Sequence, residues 1–320
     1  MRLRRLRVGT RGSQLALRQA ELVVDALRRT APSVVLEITI ITTAGDRAAE
    51  VPLERLEGVG FFAKELEVAL ADGRCDLAVH SAKDLPTALH PDVALAAVPP
   101  RGEPRDAIVS RTGERLAALP SGARVGTSSP RRAAQLRAYR RDLRPLSIRG
   151  NLNTRLAKLD RGEYEALCVA GAGLLRMGWQ DRITEWLPPA VMLPAPAQGA
   201  LAVEIRKADD ELRRLLEPLD DPATREAVEA ERAFLARLGS GCRAPAAALA
   251  DVGPGGIVLE ALIAREDGTA VRRHRCGGPL GAGTWLGTAA ADVLLAHAGG
   301  IIDALADLSS AVSAGGGGAS

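Results

Sequence analysis

The sequence predicts an α/β protein of two or three domains, with helices on both faces of parallel or mixed sheets. Three observations carry this. Short apolar strands alternate with helical patterns from Leu6 to Ile205. Proline-rich crossings, Pro99-Pro100 with Pro104 and Leu193-Pro-Ala-Pro196, interrupt that alternation, and the composition changes near Leu219. A chain of 320 residues is also long for a single core. Hydrophobic residues make up 47% and aromatics only 2%, so alanine, leucine and valine must fill the interior.

The elements follow in order. Leu6 to Gly9 reads as a strand, and Ser13 as the N-cap of a helix to Arg29 whose Leu15, Leu22, Val23, Ala26 and Leu27 recur near helical spacing. Val34 to Thr42 is rich in β-branched residues and reads as a strand, followed by a charged loop to Gly60. A helix over 61–71 leads to a buried strand, Asp76 to His80, and a further strand spans 93–98. The plan then repeats. A strand over 107–109 and a short helix near Arg115 precede a strand–turn–helix opening at Val125. Next come a strand over 146–149, a helix capped by Asn153 to about Arg161, a buried strand over 166–170 and a helix over 171–177. Ala200 to Ile205 is expected to return to the first sheet. Beyond Leu219, a helix over 222–238 presents Ala227, Ala230, Phe234 and Leu238 on one face. Strands over 257–264 and 269–276 with helices over 284–297 and 301–308 complete the pattern, and the glycine-rich 309–320 reads as a disordered tail.

One stretch stands out chemically. Between Arg124 and Arg155 there are nine arginines and one acid, Asp142, in a chain whose net charge is only +3. Val125-Gly-Thr-Ser-Ser-Pro130 has the order strand, glycine, hydroxyls and proline that presents a helix N-terminus, with Arg131 and Arg132 in its first turn. Cations oppose the helix dipole there, so their presence points to a bound anion that offsets it. An arginine run is more often a solvated basic face. The proline, the hydroxyl cluster and the acid-free spacing favour an anion site here, and guanidinium forks suit carboxylates. Val8-Gly-Thr-Arg-Gly-Ser13 echoes the same strand–glycine–threonine start, and two similar domains across a cleft would bring both helix ends to one site.

Other candidates are fewer. Cys168 lies in an apolar strand, and Cys75 and Cys276 lie at strand ends. Cys242 sits among glycines beside Arg243, which leaves a reactive thiol and a small turn residue equally open. Scattered cysteines argue for a reducing cytoplasm and show no zinc spacing, so no metal is expected. Asp84, after a strand end and Lys83, reads as a turn residue taken alone. Near the arginines it would stay ionised, fit to stabilise a developing cation and move protons. His80 reads as a packed strand-end histidine. No P-loop, dinucleotide fingerprint or nucleophile elbow is present. No secretory signal or membrane-length apolar run is seen, so a cytoplasmic location without membrane contact is expected. Scarce aromatics and small net charge argue against nucleic acid.

The ordered motifs Gly9-Thr-Arg-Gly-Ser-Gln-Leu-Ala-Leu17, Thr43-Ala-Gly-Asp46, Phe62-Ala-Lys-Glu-Leu-Glu67 and Asp76-Leu-Ala-Val-His-Ser-Ala-Lys-Asp-Leu-Pro86 open a series. Arg105-Asp-Ala107, Gly126-Thr-Ser-Ser-Pro-Arg-Arg132, Arg149-Gly-Asn-Leu-Asn-Thr-Arg155, Gln198-Gly199, Glu231-Arg-Ala-Phe-Leu235 and Gly241-Cys-Arg-Ala-Pro245 continue it. Over nearly its full length the chain thereby resembles the hydroxymethylbilane synthase, or porphobilinogen deaminase, family. The resemblance implies a monomeric enzyme that joins four porphobilinogen units head to tail with loss of ammonia, through an electrophilic azafulvene. It implies a dipyrromethane cofactor attached by a thioether to Cys242 and contacted by Ser81, Lys83, Asp84, Thr127, Ser128, Ser129, Arg131, Arg132, Arg155 and Gly199. Substrate contacts implied are Arg11, Ser13, Gln19, Arg149, Arg155, Arg176 and Gln198, with Asp84 as the catalytic carboxylate. Acetate and propionate arms on each pyrrole would account for the arginines.

The implied fold has three domains. Residues 1–99 with 200–218 and residues 100–199 form two periplasmic-binding-protein-like domains around a cleft, and 219–308 form a small α/β sandwich. Val59, Arg55, Ala197 and Arg243 depart from residues common in the family. The rival reading is a non-catalytic solute-binding protein for an anionic small molecule, which would need no Cys242 adduct.

Overall fold

The computed structural model describes residues 5–43, 63–239 and 245–297, which divide into two compact units. The first unit comprises the described residues up to Gly102 together with Gly199–Arg225. The second comprises Glu103–Gln198 and the described residues from Glu226 onward. Cys242, Arg243, the 45–60 loop with Arg55 and Val59, the expected helix over 301–308 and the 309–320 tail lie outside the described residues.

In the first unit, β1 (Arg5–Thr10) leads into α1 (Gln14–Thr30), whose N-cap is Ser13, as its position in the sequence predicts. The Ser13 side chain accepts from Ala16 N–H at 3.2 Å, and Ala20, Val23, Val24 and Leu27 turn inward. Then come β2 (Val35–Ile40), α2 (Lys64–Ala71), β3 (Leu77–Ser81) and β4 (Val93–Ala97). The sheet closes with a strand from far along the chain, β10 (Leu201–Arg206), and its order is β2-β1-β3-β10-β4. β1 runs parallel to β2 and β3, while β10 is antiparallel to both β3 and β4. The expected return near Ala200 therefore occurs. A short helix, α6 (Asp210–Leu216), follows it.

The second unit repeats the arrangement. β5 (Asp106–Ser110) precedes β6 (Arg124–Gly126), α3 (Pro130–Tyr139), β7 (Arg144–Leu146), α4 (Leu152–Asp160), β8 (Ala166–Ala170), α5 (Gly171–Arg176) and β9 (Glu185–Trp186). Sheet order is β7-β6-β8-β5-β9, with β6 parallel to β7 and β8 and with β5 antiparallel to β8 and β9. In each sheet the fourth place belongs to the strand that follows a crossing. The six-residue echo in sequence is thus a repeat of topology. Its glycines do the same job: a Cβ on Gly9 would lie 2.7 Å from Cys75 Sγ, and one on Gly126 2.7 Å from Leu167 Cδ2. Only glycine lets the neighbouring side chain approach that closely.

Two expectations shift. The strand expected over 146–149 is Arg144–Leu146, because Ile148 N–H donates to the Ser128 hydroxyl at 3.1 Å instead of to a ladder. The helix cap is Asn151, not Asn153: Asn151 Oδ1 accepts from Thr154 N–H at 3.0 Å.

The remaining sheet is a three-stranded antiparallel meander, β11 (Ala246–Gly253), β12 (Gly256–Ala264) and β13 (Val271–Gly278), with α7 (Pro222–Leu238) and α8 (Gly283–Ala296). Ala227, Ala230, Phe234 and Leu238 of α7 join Ile257, Leu259, Ala261 and Ile263 of β12 and Leu286, Ala290 and Leu294 of α8 in one core. The opposite face is covered at one end only, where Leu262 and Ala264 meet Ala134 of α3 and Leu193. That half-covering explains why β12 changes from alternating burial to full burial along its length.

Candidate active site

The guanidinium pair at the start of α3 is the centre of the second unit's chemistry. Ser129 is the N-cap and its Oγ accepts from Arg132 N–H at 3.4 Å, while Ser129 N–H donates to Thr127 Oγ1 at 3.2 Å. Pro130 occupies the first helical position, as the sequence predicts. Arg131 and Arg132 are nearly enclosed, 3% and 7% exposed, and both point at Asp106 on β5, which is fully buried. Arg131 Nη1 donates to Asp106 Oδ2 and Arg132 Nε donates to Asp106 Oδ1, each at 2.8 Å. Gln198 completes the group, donating from Nε2 to Asp106 Oδ1 at 3.0 Å and to Pro104 O at 2.8 Å and accepting from Arg132 Nη2 at 3.2 Å.

The charge reading from sequence is corrected here. The anion facing the two arginines is first of all the chain's own Asp106, which lies outside the arginine-rich stretch. One carboxylate is shared by two guanidinium groups. Burial alone would raise the Asp106 pKa, but the two arginines and Gln198 overcome it and hold the carboxyl at about 2. Arg131 Nε and Nη2 are buried without a hydrogen-bond partner among the described residues. Buried donors of this kind are costly unless an acceptor meets them.

Other arginines of the stretch do structural work. Arg124 forms a fork with Glu165, at 3.0 Å through Nε and 2.6 Å through Nη2, which draws the Glu165 carboxyl down to about 2. Arg140 pairs with Asp142 and donates to the carbonyls of Leu116, Ala117 and Leu119. Arg137 donates to Glu266 O at 2.6 Å. Of the residues named for ligand contact, Arg149 lies in the turn after β7, Arg155 lies within α4 with Nε on Gly150 O at 2.9 Å, and Arg176 closes α5. Burial pulls the Arg176 guanidinium down to about 10. Ser128 gives its hydroxyl to Ile148 O, tying the helix start to the Arg149 turn.

In the first unit, Ser81 ends β3 and accepts from Gln19 Nε2 at 2.8 Å. Lys83 and Asp84 follow in a 3-10 turn, Ala82–Asp84, both half-buried. Arg11 and Ser13 precede α1, and Gly199 enters β10 with φ 92°. His80 is packed, as its strand position suggests, with Nε2 2.9 Å from the buried Glu204 Oε2. Burial, reinforced by Glu204, pushes the nearby Glu67 carboxyl up.

Burial also pushes the Cys75 thiol up to about 11 and the Cys168 thiol up to about 12, and raises Cys276. Iodoacetamide at neutral pH is therefore expected to leave Cys75 and Cys168 unmodified in the folded protein. Peptide mapping after brief alkylation checks this, and labelling of either at the rate of a free thiol contradicts it.

Fold and site together define an α/β protein with a buried guanidinium centre suited to carboxylates. A family model described as "Porphobilinogen deaminase, dipyromethane cofactor binding domain" matches residues 6–214, and "Porphobilinogen deaminase, C-terminal domain" matches residues 225–296. The chain is 51% identical over 293 residues to a porphobilinogen deaminase of Roseiflexus castenholzii, covering 91% of this chain and 95% of that one. It is 51% identical over 304 residues to a porphobilinogen deaminase of Acidothermus cellulolyticus, covering 93% and 91%. Among solved structures it resembles a periplasmic binding protein of Salmonella typhimurium, with a TM-score of 0.39 at 15% identity over 69% of this chain and 94% of that one. The chain belongs to the porphobilinogen deaminase family. It is a transferase of porphyrin and heme biosynthesis with a dipyrromethane cofactor, and porphobilinogen is the family's substrate. Family membership replaces the solute-binding alternative. Among the described residues, no helix is long and apolar enough to cross a membrane.

Proposed function

We propose that this chain joins four porphobilinogen molecules head to tail, with loss of ammonia at each addition, to give the linear tetrapyrrole hydroxymethylbilane. The observation that carries the reading is the Arg131–Arg132–Asp106 centre, where two buried guanidinium groups share one carboxylate and two Arg131 nitrogens have no hydrogen-bond partner among the described residues. These residues fit a cofactor bearing carboxylate arms. When bound through Cys242, dipyrromethane supplies the growing end to which each new pyrrole is joined.

The chain's own residues then divide the work. Arg131, Arg132 and Arg155 hold cofactor carboxylates, and Thr127, Ser128 and Ser129 fix the helix start that aims them. Arg11, Ser13, Gln19, Arg149, Arg176 and Gln198 receive the incoming substrate. Ser81, Lys83 and Gly199 contact the cofactor from the first unit. Asp84 stabilises positive charge at pyrrole nitrogen and moves its proton, work for which an ionised carboxylate is suited. In this reading, residues 1–99 with 200–218 carry the catalytic carboxylate, 100–199 the arginines and 219–308 the attachment cysteine. The enzyme acts as a cytoplasmic monomer.

Intact-mass measurement of freshly isolated protein tests the attachment. Wild type is expected to carry a dipyrromethane adduct and to convert porphobilinogen, and Cys242→Ser to lack the adduct. An adduct that persists in Cys242→Ser sinks the assignment. Because guanidinium–carboxylate pairs at accessible positions are screened by ions, KM for porphobilinogen is expected to rise with added salt, with kcat changing less. A KM indifferent to ionic strength counts against charge pairing as the source of affinity.

A further inference from the structure

The returning segment from Leu193 to Gly199 is held from two sides. Leu193 O accepts from Arg131 Nη1 at 2.7 Å and from Gln135 Nε2 at 3.0 Å, and Leu193 N–H donates to Gln135 Oε1 at 2.8 Å. On the other side, Ala248 N–H of β11 donates to Pro194 O at 3.1 Å. Inside the segment, Ala197 has φ 61°, the one non-glycine residue in the left-handed region among the described residues, and is 1% exposed. A side chain is disfavoured there, and such a residue persists only where its surroundings over-determine it.

Glu231 of α7 is what fixes it. This carboxylate is fully buried; its Oε2 accepts from Ala197 N–H at 2.5 Å and its Oε1 from Ala250 N–H at 2.7 Å. Two oxygens meet two backbone donors, a match that a side-chain amide, with one acceptor oxygen, cannot reproduce. The residue after Ala197 is Gln198, whose amide lies on both Asp106 and Arg132.

We propose that Glu231 is a positioning residue for the guanidinium centre. By holding Ala197 in its left-handed turn it places Gln198 against Asp106 and Arg132, and so sets the guanidinium pair for carboxylates. This rests on the reading of that centre as the carboxylate site. Glu231 lies on α7 and accepts from Ala250 of β11 as well as from Ala197, so the C-terminal sheet and the arginine centre are tied through one carboxylate.

The test compares Glu231→Gln, Ala197→Gly and the double variant as holoenzymes, with steady-state kinetics on porphobilinogen and thermal melting in parallel. Glu231→Gln is expected to raise KM at least fivefold while kcat changes less than threefold. Glycine takes a positive φ without help, so adding Ala197→Gly should recover at least half of that KM increase. It should also raise Tm more in the Glu231→Gln background than in wild type. A folded Glu231→Gln with wild-type KM, or a KM increase that Ala197→Gly does not reduce, overturns the proposal. If Glu231→Gln does not fold, Glu231→Asp, with a shorter reach, carries the same test. Failure of both to fold, with and without Ala197→Gly, assigns Glu231 to the core alone and also overturns it. Wild type measured alongside keeps the two readings apart: absent turnover in wild type rejects the proposed function, while the Tm comparison still reads the Glu231–Ala197 link.

Discussion

Asp106→Asn is expected to destabilise the protein by about 3–5 kcal/mol, the usual cost of leaving a buried ion pair without one partner. In this variant Arg131 and Arg132 would face each other and an amide, inside a site where both are nearly enclosed. The sign of the pH effect follows from the carboxyl's position. Its folded pKa of about 2 lies below the ordinary 3.8, so its contribution is complete above the ordinary value and is lost as pH falls through about 2. Between about pH 5 and pH 2, wild type should lose about 2 kcal/mol of stability that the asparagine variant lacks throughout. Denaturant unfolding of both proteins across that range measures it. Parallel curves would mean that the carboxylate is not the stabilising partner.

Asp84→Asn should do the reverse, leaving stability alone and removing turnover by about 100-fold or more, the usual range for a lost proton-transfer group. The turn that bears Asp84 is closed by backbone bonds, Leu85 N–H to Ala82 O at 3.3 Å and Ala82 N–H to Ala200 O at 3.0 Å, so asparagine can occupy it without unfolding β3. Single-turnover consumption of porphobilinogen by holoenzyme, with intact mass to show the adduct retained, separates chemistry from cofactor loading. Turnover within a few-fold of wild type would remove Asp84 from the reaction.

Much of the fold was legible because its signals are local. Ser13 and Ser129 cap the helices that follow them, Pro130 sits at the first helical position, and the apolar face of Ala227, Ala230, Phe234 and Leu238 packs as its spacing requires. β11 was not foreseen because Ala246–Gly253 is rich in alanine, a poor strand former, and is a strand through pairing with β12 along its length. α6 was passed over because its seven residues are too few for a helical period to show. At the site, the arginines and hydroxyls could be named from sequence, but their electrostatics could not. Asp106 of β5 and Glu165, just before β8, come to Arg131, Arg132 and Arg124 from separations of 25, 26 and 41 residues. A count of charges along the chain cannot see partners that only sheet pairing brings together. Glu231 is the same case, a helical glutamate whose two acceptors are claimed by Ala197 and Ala250.

The placement of β10 between β3 and β4 sets the order in which the molecule can mature during translation. Every strand of the second five-stranded sheet has left the ribosome once Trp186 emerges, whereas the sheet begun earlier waits for Arg206. Until then β3 lacks a partner on one side and β4 has no partner in the sheet at all. Nascent chains stalled between those two points should be the ones that chaperones hold most tightly.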